Sequence, residues 1–470
     1  MKPSKETRRV EGSGRLGGIP SERSQVRTQS RVAWRNALAR VNKAARRNRK
    51  TRFTALLHHV TPETLEQSFR RLRRQAAAGV DGVTVSEYEQ DLESKLEDLH
   101  SRVHRGRYRA HPVRRVWIPK ADGGRRPLGV PALEDKIVQG AVAEVLSAVY
   151  EADVLGFSYG FRPGRSPHDA LKALHAAVMS QHVNWVLDAD IRSFFDSVDH
   201  EWMLRMLQHR IADPRILRLI RGWLKAGVVE EKEWTETERG VPQGAGISPL
   251  LGNVFLHYVL DQWVHQWRQR HARGRVSIVR FADDVVMGFQ YRDDAERLRA
   301  ALEKRLREFS LELHPEKTRL IEFGRFPALR SKRLGERRLS TFAFLGFTHY
   351  CGWTRDGRFV CKRKTQSKRL SRKLREVKLE ARRRMHRPVA EQHRWLTSVL
   401  RGHYRYYGLP SNHEALAAFR YQVGRIWCRS LRRRSQRSLN WAAYNEILRR
   451  WPLPPPRLPN VQRRLFVSLG

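Results

Sequence analysis

The 470-residue sequence is poor in cysteine, poor in acidic residues and without a long apolar run. Only Cys351, Cys361 and Cys428 occur, and no pair of them has the short spacing that a zinc site needs. So few thiols argue against a disulfide framework and indicate a reducing, cytoplasmic compartment. No window of 18 apolar residues exists and no apolar signal region follows Met1, so we expect neither a membrane span nor a secretory leader.

Positive charge is what the sequence has in excess. Lys and Arg total 92 against 48 Asp and Glu, a net charge of +44. A chain of this charge repels itself unless it meets a polyanion, and nucleic acid is the expected partner. Residues 1–50 carry a net +12 and residues 351–470 a net +24, whereas residues 51–350 carry only +8. Because ordinary soluble surfaces mix the signs, this segregation favours basic arms around an acid-containing body over a merely solvated basic surface.

The pattern of apolar residues predicts an α+β body. Residues 1–30 are rich in Gly, Ser and Arg without apolar periodicity, and we expect them to be disordered. Strands are predicted at Trp185–Asp190, Ser277–Phe281 and Val285–Phe289. Strands that alternate with helices, mostly in hairpins, are typical of an α+β fold. After about residue 365 the pattern becomes all-helical and very basic.

Acidic residues mark the ends of the predicted strands. Asp190 ends one strand, and the pair Asp283-Asp284 lies between two others. An Asp-Asp pair alone is usually turn chemistry. Carboxylates that converge from separate strands, however, would repel one another unless a divalent cation neutralised them, and hard oxygen ligands without His or Cys favour Mg²⁺. Paired Mg²⁺ ions in a basic protein indicate nucleotidyl transfer on a nucleic-acid chain.

Further segments follow one another in a fixed order along the chain. They are Gly79-Val80-Asp81-Gly82, Val116–Lys120 with Arg125–Gly129, Tyr159–Ser166, Gly240–Pro249, His314–Thr318, Phe344–Phe347 and His403–Gly408. Together with the strand ending at Asp190 and the Phe281–Asp284 hairpin, this order resembles a reverse transcriptase of the group II intron-encoded type, which doubles as an RNA-splicing maturase. The resemblance covers residues 60–455.

The resemblance implies a right-hand polymerase, with fingers and an antiparallel palm sheet, followed by an all-α thumb/maturase domain. The implied divisions are a basic N-terminal arm (1–60), an N-terminal extension with fingers (61–185), a palm with the catalytic aspartates (186–364), a helical thumb/maturase (X) domain (365–457) and a tail (458–470). The implied partners are the host intron RNA as template and splicing partner, a DNA primer or target, and deoxynucleotides. Whether a second copy of the chain joins them is left open.

The resemblance also implies the catalytic residues. Asp190, Asp283 and Asp284 would bind two Mg²⁺ ions, with the carbonyl of Ile191 as an additional ligand. Their work would be to lower the pKa of the primer 3′-hydroxyl and to neutralise charge on the transferring phosphate. Asp188, two residues before Asp190 on the same strand face, is interpreted as a supporting residue.

Three residues match the family's nucleotide pocket. Phe195 stands where relatives carry a ring beneath the incoming sugar, which would exclude a 2′-hydroxyl; the alternative is a core phenylalanine. Gln243 would contact the nucleotide, and Gly244 would let the backbone come close. Ala245 replaces the glycine that relatives usually carry, and we expect this change to be tolerated.

Basic residues complete the implied substrate site. Lys120 and Arg126 would grip the triphosphate, a bidentate role suited to arginine. Lys317 is a candidate proton donor to pyrophosphate. Arg162 and Arg165 are candidates for contacts with template phosphates.

The C-terminal part is predicted to bind RNA. Residues 344–347, which include Gly346, would form a primer grip. Basic residues interleaved with aromatic rings suit RNA, because phosphates attract the charges and splayed bases stack on the rings. The residues predicted to contact RNA here are Arg401, Tyr404 and Arg405. Tyr421 and Trp427 are instead interpreted as core residues.

Three alternatives stay open. The chain could be a splicing-only maturase, an RNA-binding protein with a vestigial polymerase, although its complete acid set disfavours this. It could be a free-standing reverse transcriptase used in defence or CRISPR adaptation. RNA-templated RNA synthesis is the third alternative, and Phe195 argues against it.

Overall fold

The computed structural model describes residues 22–119, 124–231, 233–242, 244–335, 340–434 and 439–458. Within these ranges the chain is a mixed α and β structure with three sheets. None of the helices in these ranges combines the length and the apolar composition that a membrane span requires.

The helices surround and follow the sheets. A 3₁₀ turn (Leu57–His59) precedes α2, and a π-helical segment (His257–Asp261) joins α10 to α11. The α-helices are α1 (Glu22–Arg47), α2 (Pro62–Arg70), α3 (Val85–Glu89), α4 (Leu92–His104), α5 (Leu133–Tyr150), α6 (Pro167–Ser180), α7 (Phe194–Ser197), α8 (His200–Gln208), α9 (Pro214–Leu224), α10 (Ser248–Leu256), α11 (Gln262–Arg270), α12 (Arg292–Arg307), α13 (Arg325–Arg333), α14 (Ser367–Arg383), α15 (Val389–Tyr407), α16 (His413–Arg432) and α17 (Trp441–Arg450).

The N-terminal helix is longer than the sequence pattern predicts. Because α1 begins at Glu22, residues 22–30 are helical, and the expectation of disorder is wrong for them. Val41 and Ala45 of α1 are buried in the main core. A helix that is anchored at one end extends cheaply, since each added residue gains one hydrogen bond. Residues 1–21 lie outside the described residues.

The strands form two four-stranded sheets and one three-stranded sheet, in the orders β2-β1-β4-β5, β6-β7-β3-β8 and β11-β10-β9. All pairs are antiparallel except β1 with β4. The strands are β1 (Val113–Pro119), β2 (Arg125–Val130), β3 (Trp185–Asp190), β4 (Val228–Glu230), β5 (Glu233–Thr235), β6 (Val276–Phe281), β7 (Asp284–Phe289), β8 (Arg319–Glu322), β9 (Thr341–Phe344), β10 (Phe347–Trp353) and β11 (Phe359–Thr365).

The sheet β6-β7-β3-β8, named the hairpin sheet below, is buried on both faces. Along β3, Leu187 and Ala189 pack into the main core with the helices, whereas Val186 packs into a second core with α6 and the sheet β9–β11. Side chains alternate between the faces of a strand, so Asp188 and Asp190 lie on the same face as Val186. Strands β3, β6 and β7 of this sheet match the predicted ones to within one residue at each end.

The last four helices, α14–α17, are named the C-terminal helices below. They begin at Ser367, close to the predicted change of pattern, and they have a core of their own. Trp427 is 1% exposed in this core, as predicted. Tyr421 is 62% exposed, so its interpretation as a core residue is wrong. Phe419, Val423 and Trp427 lie at a four-residue spacing on the buried face of α16, and Tyr421 falls between them on another face.

Candidate active site

Residues 281–284, named the acid hairpin below, turn the chain between β6 and β7. Phe281 pairs with Asp284, so Ala282 and Asp283 form the two-residue tip. In the neighbouring strand, Asp190 pairs directly with Asp284. Antiparallel pairing therefore brings three carboxylates from distant segments to one end of the hairpin sheet.

The carboxylates at this end disfavour one another's charge. Desolvation, followed by repulsion from Asp283, Asp190 and Asp188, raises the pKa of Asp284 to about 7, although the residue keeps contact with solvent. Desolvation and the charge of Asp190 likewise raise the pKa of Asp283. Desolvation raises the pKa of Asp188 to about 6, opposed by the neighbouring Arg319. Such a group of acids is stabilised by any cation that enters it.

Basic side chains face these acids from two directions. The Lys317 ammonium lies 3.1 Å from a carboxylate oxygen of Asp190. The charge of Arg126, on β2, opposes the rise in the pKa of Asp283. The segment that carries Lys317 is held in place by the main chain, because the His314 N–H donates to the Asp190 carbonyl at 2.7 Å. Ile191 and Leu313 form an adjacent bridge.

The three carboxylates suit a divalent cation by the chemistry of their oxygen donors, but they are not arranged in a coordination geometry. In the described part of the chain, no three Asp, Glu, His or Cys side chains form a group with the geometry of a metal site. Asp190 is instead paired with Lys317. Three carboxylates that repel one another, without His or Cys among them, are nevertheless the hard-oxygen donors that Mg²⁺ prefers. Binding of the ion through Asp190 would require Lys317 to release this carboxylate.

Phe195 has one side in the core and one side open. Its half-buried ring meets Phe194 edge-on, with 5.0 Å between the centroids, and it lies against Gly252 of α10. The Phe195 carbonyl accepts a hydrogen bond from Val241 at 2.7 Å and so joins α7 to residues 240–247, named the glycine-rich loop below. Phe194, at 2% exposure, is the true core residue of the pair. This half-buried position is compatible with both predicted roles of Phe195, a ring beneath the incoming sugar and a core phenylalanine.

The glycine-rich loop packs against the first sheet. Gly244 has φ +110°, and a Cβ there would lie 2.6 Å from the Gly129 carbonyl oxygen. Gly244 is therefore required for the close approach of this loop to β2. Its predicted approach to a nucleotide would come in addition. A residue that the sequence did not single out, Gln139 of α5, accepts a hydrogen bond from the Gly246 N–H at 3.1 Å. Gln243 and Lys120 lie outside the described residues.

The two arginines predicted to hold template phosphates differ. The Arg162 side chain is 8% exposed and lies 2.9 Å from a Glu151 carboxylate oxygen. It also donates to the Leu155 and Ser158 carbonyls, so its donors are used inside the protein. The expected phosphate contact is therefore wrong for Arg162. Arg165 is exposed, with its guanidinium 5.4 Å from the Tyr159 ring centroid, and it remains a candidate.

Gly346 lies where the C-terminal helices meet the sheets. Its φ of +82° suits glycine, and a Cβ there would lie 3.1 Å from the Tyr407 hydroxyl and 3.2 Å from the Arg369 side chain. The Tyr406 hydroxyl donates to the Leu345 carbonyl at 2.9 Å. The charge of Arg369, on α14, also opposes the rise in the pKa of Asp284. No sequence signal distinguishes Arg369 from the other basic residues of α14.

The predicted RNA contacts on α15 also divide. Arg401 and Arg405 are exposed and lie one helical turn apart. Tyr404 is 6% exposed, and its hydroxyl donates to the Pro454 carbonyl at 3.1 Å. A ring that packs in the core cannot stack on a base, so the RNA contact predicted for Tyr404 is wrong. Exposed Tyr421 offers such a ring instead, with the Arg425 guanidinium 5.8 Å from its centroid.

Known proteins resemble this chain in sequence. Residues 118–349 match the family model described as "Reverse transcriptase (RNA-dependent DNA polymerase)". Protein YkfC of Escherichia coli (strain K12) is 33% identical over 333 residues, which cover 61% of this chain and 86% of YkfC. The group II intron-encoded protein LtrA of Lactococcus lactis subsp. cremoris is 33% identical over 238 residues, which cover 50% of this chain and 39% of LtrA. A nuclear intron maturase of Arabidopsis thaliana is 30% identical over 95 residues, 20% of this chain and 13% of that protein.

The sheets, the acid hairpin and the matched region together define a polymerase with a palm and fingers. The chain belongs to the group II intron reverse transcriptase and maturase family, and it is an RNA-directed DNA polymerase. The share of each relative that the chain matches differs: the chain spans most of YkfC but less than half of LtrA.

Proposed function

We propose that this chain copies RNA into DNA with two Mg²⁺ ions held by Asp190, Asp283, Asp284 and the Ile191 carbonyl, and that it binds a group II intron RNA to promote its splicing and mobility. The observation that carries the polymerase part is the pairing of Asp190 with Asp284 beside the hairpin tip. Free cysteines, all buried, are compatible with a reducing cytoplasm.

The protein's own residues supply orientation and charge. The metal ions, when bound, would lower the pKa of the primer 3′-hydroxyl and stabilise negative charge on the transferring phosphate. Arg126, whose charge opposes the rise in the pKa of Asp283, would hold the triphosphate. Lys317, released from Asp190, would stand beside the leaving group as a proton donor. The open side of the Phe195 ring would exclude a 2′-hydroxyl.

The remainder of the chain is interpreted in the same way. Residues 61–185 would form the N-terminal extension and fingers, residues 186–364 the palm, and residues 365–457 the thumb/maturase domain. The separate core of the C-terminal helices supports the last division. Arg401 and Arg405 on α15, with the Tyr421 ring on α16, would contact RNA through phosphates and a stacked base.

Primer extension on an RNA template tests the polymerase part. Wild type should incorporate deoxynucleotides in the presence of Mg²⁺, and Asp283→Asn should not, while RNA affinity, measured by filter binding, stays equal. Equal extension by both proteins would show that these carboxylates are not the catalytic site. Extension by neither protein, with RNA binding intact, would favour a maturase that only binds RNA.

Copurification tests the intron part. RNA that is recovered with the protein from its own cells and sequenced should be enriched in group II intron sequence. Recovery of unrelated transcripts in proportion to their abundance would instead indicate a reverse transcriptase that serves another process, such as defence.

A further inference from the structure

A fully buried ion pair lies directly beneath the acid hairpin. Arg280 of β6 is 0% exposed and Asp261 is 1% exposed. The Arg280 Nε and Nη2 atoms donate to the two Asp261 carboxylate oxygens at 2.7 and 2.6 Å. Asp261 is the last residue of the π-helical segment, a rare geometry that is frequent at functional sites. A bidentate pair of this kind fixes the plane of the guanidinium.

The third nitrogen of the same guanidinium is hydrogen-bonded to the acid hairpin. Arg280 Nη1 donates to the Ala282 carbonyl and to the Asn253 side-chain oxygen, both at 3.0 Å. Ala282 immediately precedes Asp283 and has φ +57°, a left-handed conformation that costs a non-glycine residue energy unless its surroundings hold it. The hydrogen bond from Arg280 is therefore made to the strained residue that aims Asp283.

The other side of the turn is closed by backbone. A Cβ on Gly160 would lie 2.3 Å from the Ala282 nitrogen, so the two main chains are in contact. The Asn253 side-chain amide donates to the Gly160 carbonyl at 2.7 Å and so connects this contact to the ion pair. Tyr159 N–H donates to the Arg280 carbonyl at 2.9 Å. Ala282 is thus held from below by Arg280 and from the side by Gly160.

We propose that Arg280, oriented by Asp261 and Asn253, is a positioning residue for polymerisation that holds the acid hairpin against the mutual repulsion of its carboxylates. The proposal rests on the proposed role of Asp283 and Asp284 as metal ligands. A buried ion pair adds little to stability compared with an apolar replacement, so stability alone does not explain its position. A support that fixes repelling carboxylates before any ion arrives would serve the reaction directly.

The chain offers a matched control. Arg210 is 1% exposed and lies 3.2 Å from the Asp153 carboxylate, and it donates to the Ala45 and Asn48 carbonyls. It is therefore a second buried arginine with one acidic partner and backbone acceptors, but without a contact to the acid hairpin. Arg210→Lys and Arg280→Lys make the same chemical change in the two places.

The test compares Arg280→Lys, Asn253→Ala and Arg210→Lys in primer extension, at a temperature at which circular dichroism shows each variant folded. Because a misplacement of about 1 Å can cost roughly a hundredfold in rate, Arg280→Lys should lower kcat by roughly ten- to a hundredfold. It should also raise the Mg²⁺ concentration for half-maximal rate while the KM for deoxynucleotide changes less than threefold. Asn253→Ala should show the same pattern more weakly, and Arg210→Lys should keep kcat within twofold.

Two results would overturn the proposal. The first is a kcat and Mg²⁺ dependence of Arg280→Lys equal to those of Arg210→Lys. The second, decisive if Arg280→Lys does not fold, is a folded Asn253→Ala with wild-type kcat and Mg²⁺ dependence. Failure of the proposed metal site is a separate outcome, since it would appear as full activity of Asp283→Asn whatever these variants do.

Discussion

In the hairpin sheet, strand register decides which side chains meet, whereas in the C-terminal helices the helical repeat decides which side chains reach solvent. Asp190 and Asp284 are neighbours because two antiparallel strands pair at those positions. Tyr404 is buried and Tyr421 exposed because of the faces of α15 and α16 on which they lie. The function of a site that strand register creates depends on single residues. The binding energy of a surface formed by a helical face is distributed over many residues.

The largest expected effect separates two acids on the same strand face. Asp190→Asn should lower the polymerisation rate roughly a thousandfold, since metal-based charge stabilisation is worth several kcal/mol. Asp188→Asn, two residues away, should cost less than tenfold, because Asp188 is paired with Arg319 at 3.6 Å and is interpreted as a supporting residue. Single-turnover primer extension measures both rates, and equal losses would contradict the division between ligand and support.

The second prediction contrasts a buried tyrosine with an exposed one. Tyr404→Ala should lower the free energy of unfolding by about 3 kcal/mol, as expected for removal of a buried aromatic ring. Tyr421→Ala should leave stability unchanged and weaken RNA binding by about 1–3 kcal/mol, the value of one stacked base. Urea unfolding and filter binding give the two quantities. If Tyr421→Ala binds RNA with wild-type affinity, the Tyr421 ring of α16 is not part of the RNA-binding surface.

The smallest expected effect is a pH dependence within the C-terminal helices. Burial lowers the pKa of His403 to about 4, and its ring stacks on Phe419 with 3.9 Å between the centroids. Because the folded state binds this proton less readily than the unfolded chain, the contribution to stability is complete above pH 6.5 and is lost as the pH falls toward 4. His403→Phe should therefore reduce the loss of unfolding free energy between pH 6.5 and 5.5 by about 1 kcal/mol. An unchanged pH profile would show that His403 is protonated at no such cost.

The sequence predicts the hairpin sheet well because its signals are local. Runs of apolar residues place β3, β6 and β7 to within one residue. The register that pairs Asp190 with Asp284 joins distant segments, and it is the structure that shows it. The order of the segments carries the resemblance to a family, and the resemblance assigns roles to the residues, which composition alone could not do.

Two of the wrong predictions concern side chains whose hydrogen-bond partners no sequence pattern reveals. Arg162 is paired with Glu151, and Tyr404 donates to Pro454, and neither partner is marked by a pattern. Arg280 had a signal that went unused, since it is the one charged residue in the mostly apolar strand β6. Its partner Asp261, in a π-helical segment, had none that a helical or strand period could detect.

The turn at Leu345 and Gly346 has a mechanical consequence. The Tyr406 hydroxyl bonds to Leu345, His168 lies 2.7 Å from the Tyr406 carbonyl, and Asn412 accepts from the Thr365 N–H at 2.8 Å. The C-terminal helices are thereby attached at several points, so they cannot swing outward without breaking hydrogen bonds. An RNA bound to those helices, as proposed, would therefore be held at a constant distance from the acid hairpin while successive nucleotides are added.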